Sequence, residues 1–254
     1  MMSGHLKGDK KIIAVLPAYN AAKTLEATLN DIPKDWVDEI ILVDDASSDH
    51  TAELAESLNL KTFVHERNLG YGANQKTCYR QALVAGAEIV VMVHPDHQYD
   101  PHFIPQIIGP ILKGECDACF GSRMIWHGAA LAGGMPAWKY LANIILTKIE
   151  NWFLRLNLTE YHSGFRAYSR QVLTVVPFES NSNDFVFDTE IIVQLVINNF
   201  RIKEIPITTK YFKDASSINF WRSVKYGLAI LKVMISYQLV KRGIASGAKF
   251  KKIK

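Results

Sequence analysis

Four short apolar runs, each closed by polar or turn-forming residues and each followed by a helical pattern, constrain this chain more than any other feature. Ile12-Ile13-Ala14-Val15-Leu16 ends at Pro17 and leads into a helical pattern over about Ala22–Asn30. Glu39-Ile40-Ile41-Leu42-Val43 ends in Asp44-Asp45, after which Ser47, Ser48 and Asp49 offer N-caps for a helix through Thr51–Leu58. Thr62-Phe63-Val64-His65 reads as a third strand before a helix over Tyr71–Ala85. Ile89-Val90-Val91-Met92-Val93 is the fourth, stopped by His94-Pro95-Asp96. Continuous apolar runs suit strands covered on both faces, and single helices between them give βαβ units. The expected class is α/β with a mainly parallel sheet flanked by helices. Such sheets hold ligands at the carboxyl ends of their strands, and the polar clusters lie there too.

The second half is less regular. Asp117-Ala118-Cys119-Phe120-Gly121 reads as a strand leading into Ser122-Arg123, and Gly128–Gly134, made of small residues, as a mobile loop. Ala137–Leu156 is helical, and its aromatics, Trp138 to Phe153, read first as core. A helix near Phe187–Asn198 and a strand over Lys203–Ile207 follow. Asn219–Val240 has a long apolar face interrupted by Arg222, Lys225 and Lys232. These charges exclude an ordinary membrane span, which needs ~20 predominantly apolar residues. They suit a helix lying in the membrane interface with its cations toward the headgroups.

Charge is divided along the chain. Between Ala215 and Lys254 lie nine Lys/Arg and no Asp/Glu, which leaves 20 basic against 25 acidic residues before them. A body near −5 thus carries a tail of +9, which points to an anionic partner, a membrane surface here rather than nucleic acid. With 48% apolar and 21% charged residues the chain is neither disordered nor polytopic. Its three cysteines make no disulfide scaffold, and the polar opening lacks the pattern of a secretory signal. The expectation is a cytoplasmic protein, peripheral on the cytoplasmic face of a membrane. Its parts are a flexible segment 1–10, a catalytic domain 11–215, an amphipathic helix 216–243 and a basic tail 244–254.

Two carboxylate clusters end strands. Asp44 and Asp45 are placed to accept hydrogen bonds from a base or ribose, and Asp96 with His94 and Gln98 is placed to hold a hard divalent cation such as Mg²⁺ or Mn²⁺. Pro17-Ala18-Tyr19-Asn20, Val43-Asp44-Asp45-Ala46-Ser47-Ser48-Asp49, Asn68-Leu69-Gly70-Tyr71-Gly72, His94-Pro95-Asp96-His97-Gln98, Gly121-Ser122-Arg123 and Ser163-Gly164-Phe165-Arg166 occur in one order. Together they resemble the family 2 glycosyltransferases, in the branch similar to dolichol-phosphate mannosyltransferase.

The resemblance implies a GT-A fold that binds a nucleotide sugar, GDP-mannose or a UDP-sugar, on its amino-terminal half. It implies transfer to a polyprenyl or dolichyl phosphate, with inversion at the anomeric carbon. Pro17, Ala18 and Tyr19 would line the nucleoside pocket, with Asp44 at the base, Asp45 nearby, and Asn68, Gly70, His94 and Pro95 completing the donor side. Asp96, Gln98 and His94 would hold the metal, His94 standing where the family commonly has an Asp. Asp96, Arg123 and Glu160 form the expected catalytic set, with Arg123 facing phosphate. Ser163, Gly164 and Arg166 would form the acceptor side. A hydroxyl acceptor would instead need a carboxylate base, for which Glu160, Asp188 and Glu190 are available. A glycan, lipid or protein hydroxyl acceptor, a silent nucleotide-sugar-binding subunit, and a membrane-protein partner stay open at this point.

Overall fold

The computed structural model describes residues 7–211 and 220–252. The first six residues of the expected flexible segment, the expected start of the terminal helix at 216–219 and the last two residues of the basic tail lie outside them. A seven-stranded sheet is formed by β1 (Ile12–Ala18), β2 (Glu39–Asp44), β3 (Lys61–Val64), β4 (Ile89–Met92), β5 (Ala118–Ser122), β6 (Arg166–Ser169) and β7 (Ile202–Pro206). Its order is β3-β2-β1-β4-β6-β5-β7. Every pairing is parallel except those of β6, which runs antiparallel to both β4 and β5.

The four apolar runs are β1 to β4, and the period of two along β1 sorts its residues between two cores. Ile13 and Val15 face the layer containing α3 (Tyr71–Val84), α7 (Arg170–Val175) and α8 (Phe187–Ile197). Ile12, Ala14 and Leu16 face the layer with α1 (Leu25–Asp31), α2 (Thr51–Ser57) and α4 (Ile104–Leu112). The α4 helix has the three-four-seven spacing of an amphipathic helix in Ile104, Ile107, Ile108 and Ile111, but Pro105, Gly109 and Pro110 mask it. Pro105 is harmless in the first turn, where its missing N–H has no helical partner, and Ile107, Ile108 and Ile111 are buried against the sheet.

Two short elements depart from expectation. Gly128–Gly134 is not a loose loop but contains α5 (Ala129–Ala132), with Ala130 buried and the Tyr211 amide donating to the Gly133 carbonyl (2.9 Å). None of the three residues proposed as caps for α2 is its N-cap, which is His50 with no side-chain cap bond; Asp49, one residue earlier, accepts from the Thr51 amide (3.1 Å), while Ser47 is drawn back to Asp44.

The remaining long helices, α6 (Ala137–Leu154) and α9 (Phe220–Lys241), pack on each other beside α8. The α6 helix is turned inside out relative to the aromatic core expected of it. It buries Asn143, Thr147, Glu150 and Leu154 and exposes Trp138, Leu141, Ile145 and Trp152. The α9 helix buries Ile230, Val233, Met234 and Tyr237 and exposes Trp221, Val224, Leu228, Ile235 and Leu239. No helix among the described residues is long and apolar enough to cross a membrane. The segment expected as a basic tail folds back: Phe250 is buried and Lys249 pairs with Glu190 on α8 (2.8 Å).

Candidate active site

The carboxyl ends of β1, β2, β4 and β5 lie along one edge and carry most of the expected residues. On the β1–β2 side, Pro17 and Ala18 are buried, Ala18 pairs with Asp44, and Tyr19 stands half exposed at the rim. Asn74 of α3 ties these ends together by donating to the Ala18 and Val43 carbonyls (3.1 and 3.0 Å). Asp44 accepts from the Ser47 amide (2.8 Å) and hydroxyl. Asp45 accepts from the Leu69 and Gly70 amides (2.8 and 2.9 Å) and pairs with His65 (2.7 Å), so it folds the 68–70 loop against β2. Gly70 is required there. Its φ is +100°, and a Cβ would meet the Asn183 carbonyl oxygen at 2.6 Å. Asn68 beside it is exposed.

At the end of β4 a cavity of about 230 Å³ opens, with His94, Asp96 and Gln98 in its lining. Arg123 and Lys139 also line it, and α6 and α9 contribute Trp138, Leu146 and Tyr226. Pro95 is pinned behind the lining, its carbonyl accepting from Thr24 (2.6 Å). His94 lies against Gly164, where any Cβ would strike the imidazole. The Tyr71 hydroxyl, 3.5 Å from His94 Nε2, donates to Asp188 Oδ2 (2.9 Å). Burial lowers the His94 pKa, against the pull of Asp96 and Asp188, which favours a neutral ring with a free lone pair. Burial also pushes the Asp96 carboxyl up.

Arg123 is held by a buried partner. Its backbone amide donates to Glu160 Oε2 (2.7 Å) and its Nε to Oε1 (2.9 Å), with a further contact from its terminal nitrogen. Asn143 also donates to Oε1 (2.7 Å), and Tyr211 contacts the guanidinium (2.6 Å). Burial alone would raise the Glu160 carboxyl, but the charge and hydrogen bonds of Arg123 hold it below the ordinary carboxylate range. Lys139 has its pKa lowered by burial and by Arg123, so two cations share this part of the cavity.

Several expected residues stand elsewhere than the sequence suggests. Glu160, expected among the catalytic groups, does not line the cavity, because its oxygens are committed to Arg123 and Asn143. Arg166, expected on the acceptor side, lies inside the sheet, donating to the Ser163 and Tyr161 carbonyls (2.7 and 2.6 Å) and stacking over Phe120. Ser163 is buried and accepts from the Phe165 amide, which leaves Gly164 as the member of that motif lining the cavity. Glu190 turns to Lys249, whereas Asp188 faces the cavity with its oxygens already engaged by Tyr71 and Gln75. Lys139, Asn143, Tyr211 and Tyr226 were not foreseen. A lone lysine in the first turn of an aromatic helix was the only signal for any of them.

A set of His94, Asp96 and Gln98 offers an imidazole nitrogen and side-chain oxygens, chemistry that fits Mn²⁺ or Mg²⁺. Separately, Asp31, Asp100 and His102 bring ligand atoms within 4.8 Å of one another, nearer the surface.

Residues 13–176 match the pattern of glycosyl transferase family 2. The chain belongs to this family. It is a nucleotide-sugar-dependent glycosyltransferase with the GT-A fold. It is 29% identical over 246 residues to the UDP-N-acetylglucosamine–dolichyl-phosphate N-acetylglucosaminyltransferase of Methanococcus voltae, covering 89% of this chain and 97% of that one. To the undecaprenyl-phosphate mannosyltransferase of Micrococcus luteus it is 25% identical, covering 78% and 83%. Among solved structures it resembles glucosyl-3-phosphoglycerate synthase from Mycobacterium tuberculosis in complex with UDP, with a TM-score of 0.72 at 20% identity over 96% of this chain and 84% of that one. The same enzyme with Mn²⁺, UDP and glucosyl-3-phosphoglycerate matches with a TM-score of 0.68 at 20% identity over the same shares.

Proposed function

We propose that this glycosyltransferase moves a sugar from a UDP-linked donor to a polyprenyl phosphate at a membrane surface, with inversion at the anomeric carbon. The observation that carries the reading is the composition of the cavity. Its lining combines the His94, Asp96 and Gln98 set with the cations Arg123 and Lys139, and the α6 and α9 helices that contribute to it also carry exposed apolar stripes. A phosphate on a long apolar chain matches that combination. The names of the Methanococcus and Micrococcus relatives support a lipid phosphate acceptor, and the first of them supports a uridine donor.

A phosphate oxygen of the acceptor attacks C1 of the sugar, the C1–O bond to the nucleoside diphosphate breaks, and that oxygen keeps the electron pair. An acceptor phosphate is already anionic at neutral pH and needs no general base. The engagement of Asp188 with Tyr71 and Gln75, and of Glu160 with Arg123, is consistent with this. Arg123 and Lys139 offset the charge of the incoming phosphate and aim it, while Glu160 and Tyr211 fix the guanidinium plane. His94, Asp96 and Gln98 would hold a divalent cation, which when bound offsets the charge developing on the departing diphosphate. Tyr71 and Gly164 position the His94 ring.

Calorimetric titration with UDP and GDP, each with and without Mn²⁺, tests the donor half. UDP binding strengthened by Mn²⁺, with the metal increment lost in Asp96→Ala, is expected. Preference for GDP would overturn the uridine assignment, and binding of neither would overturn the donor site.

A further inference from the structure

The basic segment after α9 reads in sequence as a contact for an anionic surface, yet one of its lysines is engaged inside the molecule. A single 3₁₀ turn, Ala248–Phe250, packs on α8 and α9, and Phe250 is buried in the apolar core those helices share. Beside it, Lys249 Nζ donates to Glu190 Oε1 (2.8 Å). The other oxygen of Glu190 accepts from the Ser182 amide (2.5 Å). A second route runs through the backbone. The Lys249 carbonyl accepts from Gln194 Nε2 (3.4 Å), and the Gln194 and Asn181 side chains exchange two hydrogen bonds (2.7 and 3.1 Å). Lys249 thus reaches loop 181–183 twice, once through Glu190 and once through Gln194.

Loop 181–183 in turn lies directly on the 68–72 loop. The Asn183 carbonyl accepts from the Gly72 amide (2.8 Å). The two backbones leave no room for a side chain: a Cβ on Gly70 would strike the Asn183 carbonyl oxygen, and one on Gly72 the Ser182 carbonyl oxygen. From the opposite side Asp45 holds the Leu69 and Gly70 amides. Tyr71, between the two glycines, donates to Asp188 and stacks on His94. Lys76 of α3 also ties loop 181–183 down, donating to the Asn181 carbonyl (2.5 Å) and to Asn183 Oδ1 (2.8 Å). The 68–72 loop therefore has two abutments, Asp45 and loop 181–183, and the second of them rests on Glu190 and Lys249.

We infer that Lys249 is a positioning residue for the 68–72 loop, acting through Glu190 and loop 181–183. An exposed ion pair in its place would matter little. Here the carboxylate is 5% exposed, and its second oxygen holds a backbone amide. Without Lys249, Glu190 is a buried charge that has lost its ion-pair partner, and it turns toward water and releases the Ser182 amide. Loop 181–183 then loosens, and Gly70 and Gly72 loosen with it, because backbone lies directly on backbone. A consequence for nucleotide binding rests on the proposed donor reading of the 68–72 loop, whereas the brace itself is measurable without any ligand.

The test compares the unsubstituted full chain with Lys249→Met, which keeps the apolar stem and removes the charge. Backbone amide hydrogen exchange over residues 69–74 and 182–183 should speed up by about tenfold, while the amides of β1 and β2 keep their protection. Glu190→Gln added to Lys249→Met should restore the slow exchange, because the glutamine oxygen still accepts from the Ser182 amide and no unpaired charge is left. Unchanged exchange in Lys249→Met, an equal rise across the whole sheet, or no restoration in the double variant overturns the brace. Calorimetric titration of the same proteins with UDP and Mn²⁺ supplies the second readout. Affinity should fall by about fivefold in Lys249→Met and return in the double variant. Faster exchange of the loop with unchanged UDP affinity overturns the donor-side placement of the 68–72 loop and leaves the brace standing. Failure of the unsubstituted protein to bind UDP overturns the donor reading, and the exchange data still decide the brace.

Discussion

The sheet and the α6–α9 pair treat hydropathy in opposite ways. Along β1 every residue from Ile12 to Ala18 is buried, and the polar side chains begin where the strand ends. Along α6 the order is reversed: Asn143, Thr147 and Glu150 are inside, while Trp152, 76% exposed, stands outside. On α9 Trp221 is 77% exposed beside Arg222 and Lys225. Burial accounts for the sheet, since each apolar side chain sealed there is worth roughly 1.5–3 kcal/mol. It does not account for two helices that each present tryptophan and aliphatic side chains to solvent, at spacings of three, four and seven residues that keep each set on one face. The sheet is built to fold. The helix pair contributes to a polar cavity and carries an exposed apolar face flanked by basic residues.

This contrast can be broken at several points. The largest effect is expected at the strand ends: Asp96→Ala should cut metal-dependent turnover by about a thousandfold, with the circular dichroism spectrum and Tm unchanged. Retained turnover would move the metal site elsewhere. Arg123→Ala leaves Glu160 buried without its charge partner. It should destabilise the fold by about 3–5 kcal/mol, measured by urea denaturation, and abolish transfer. Within the sheet, Ile13→Ala should cost about 2–5 kcal/mol. On the outer face, Trp221→Ala should change stability by no more than about 0.5 kcal/mol while weakening sedimentation with anionic vesicles. Equal stability losses at Ile13 and Trp221 would erase the distinction between the two regions. Added salt should also reduce vesicle association through the screened Arg222 and Lys225 charges. The smallest effect is expected at Gly164→Ala, where the new methyl would push the His94 ring aside and lower Mn²⁺ affinity by about tenfold.

How much was legible follows the same division. The first four strands, α3, α8 and the ends bearing Asp44, Asp96 and Arg123 announced themselves through apolar runs and turn residues. The α4 helix was hidden by two prolines and a glycine, tolerated because its isoleucines seal against the sheet. The β6 strand was hidden by Arg166, a charge at the centre of a sheet, acceptable because its donors reach the Ser163 and Tyr161 carbonyls. For the same reason Arg166 reads as a site residue in sequence and is a structural one in space. The motifs show which side chains come near the cavity but not which way each one turns. Glu160 reads as a candidate base and clamps Arg123, while Lys139, which belongs to none of the motifs, lines the cavity. The inversion of α6 has no counterpart in composition, since aromatic residues at helical spacing have the same periodicity whether they face a core or a bilayer.

The central claim is that the acceptor is a phosphate carried on an apolar chain. The most direct measurement supplies a radiolabelled UDP-sugar and Mn²⁺ with polyprenyl phosphate or with the matching polyprenol, which differ only in the group that attacks. Label extracted into the lipid phase with polyprenyl phosphate, and not with polyprenol, is the predicted result. Equal transfer to polyprenol, or UDP release that depends only on a water-soluble acceptor, would contradict it.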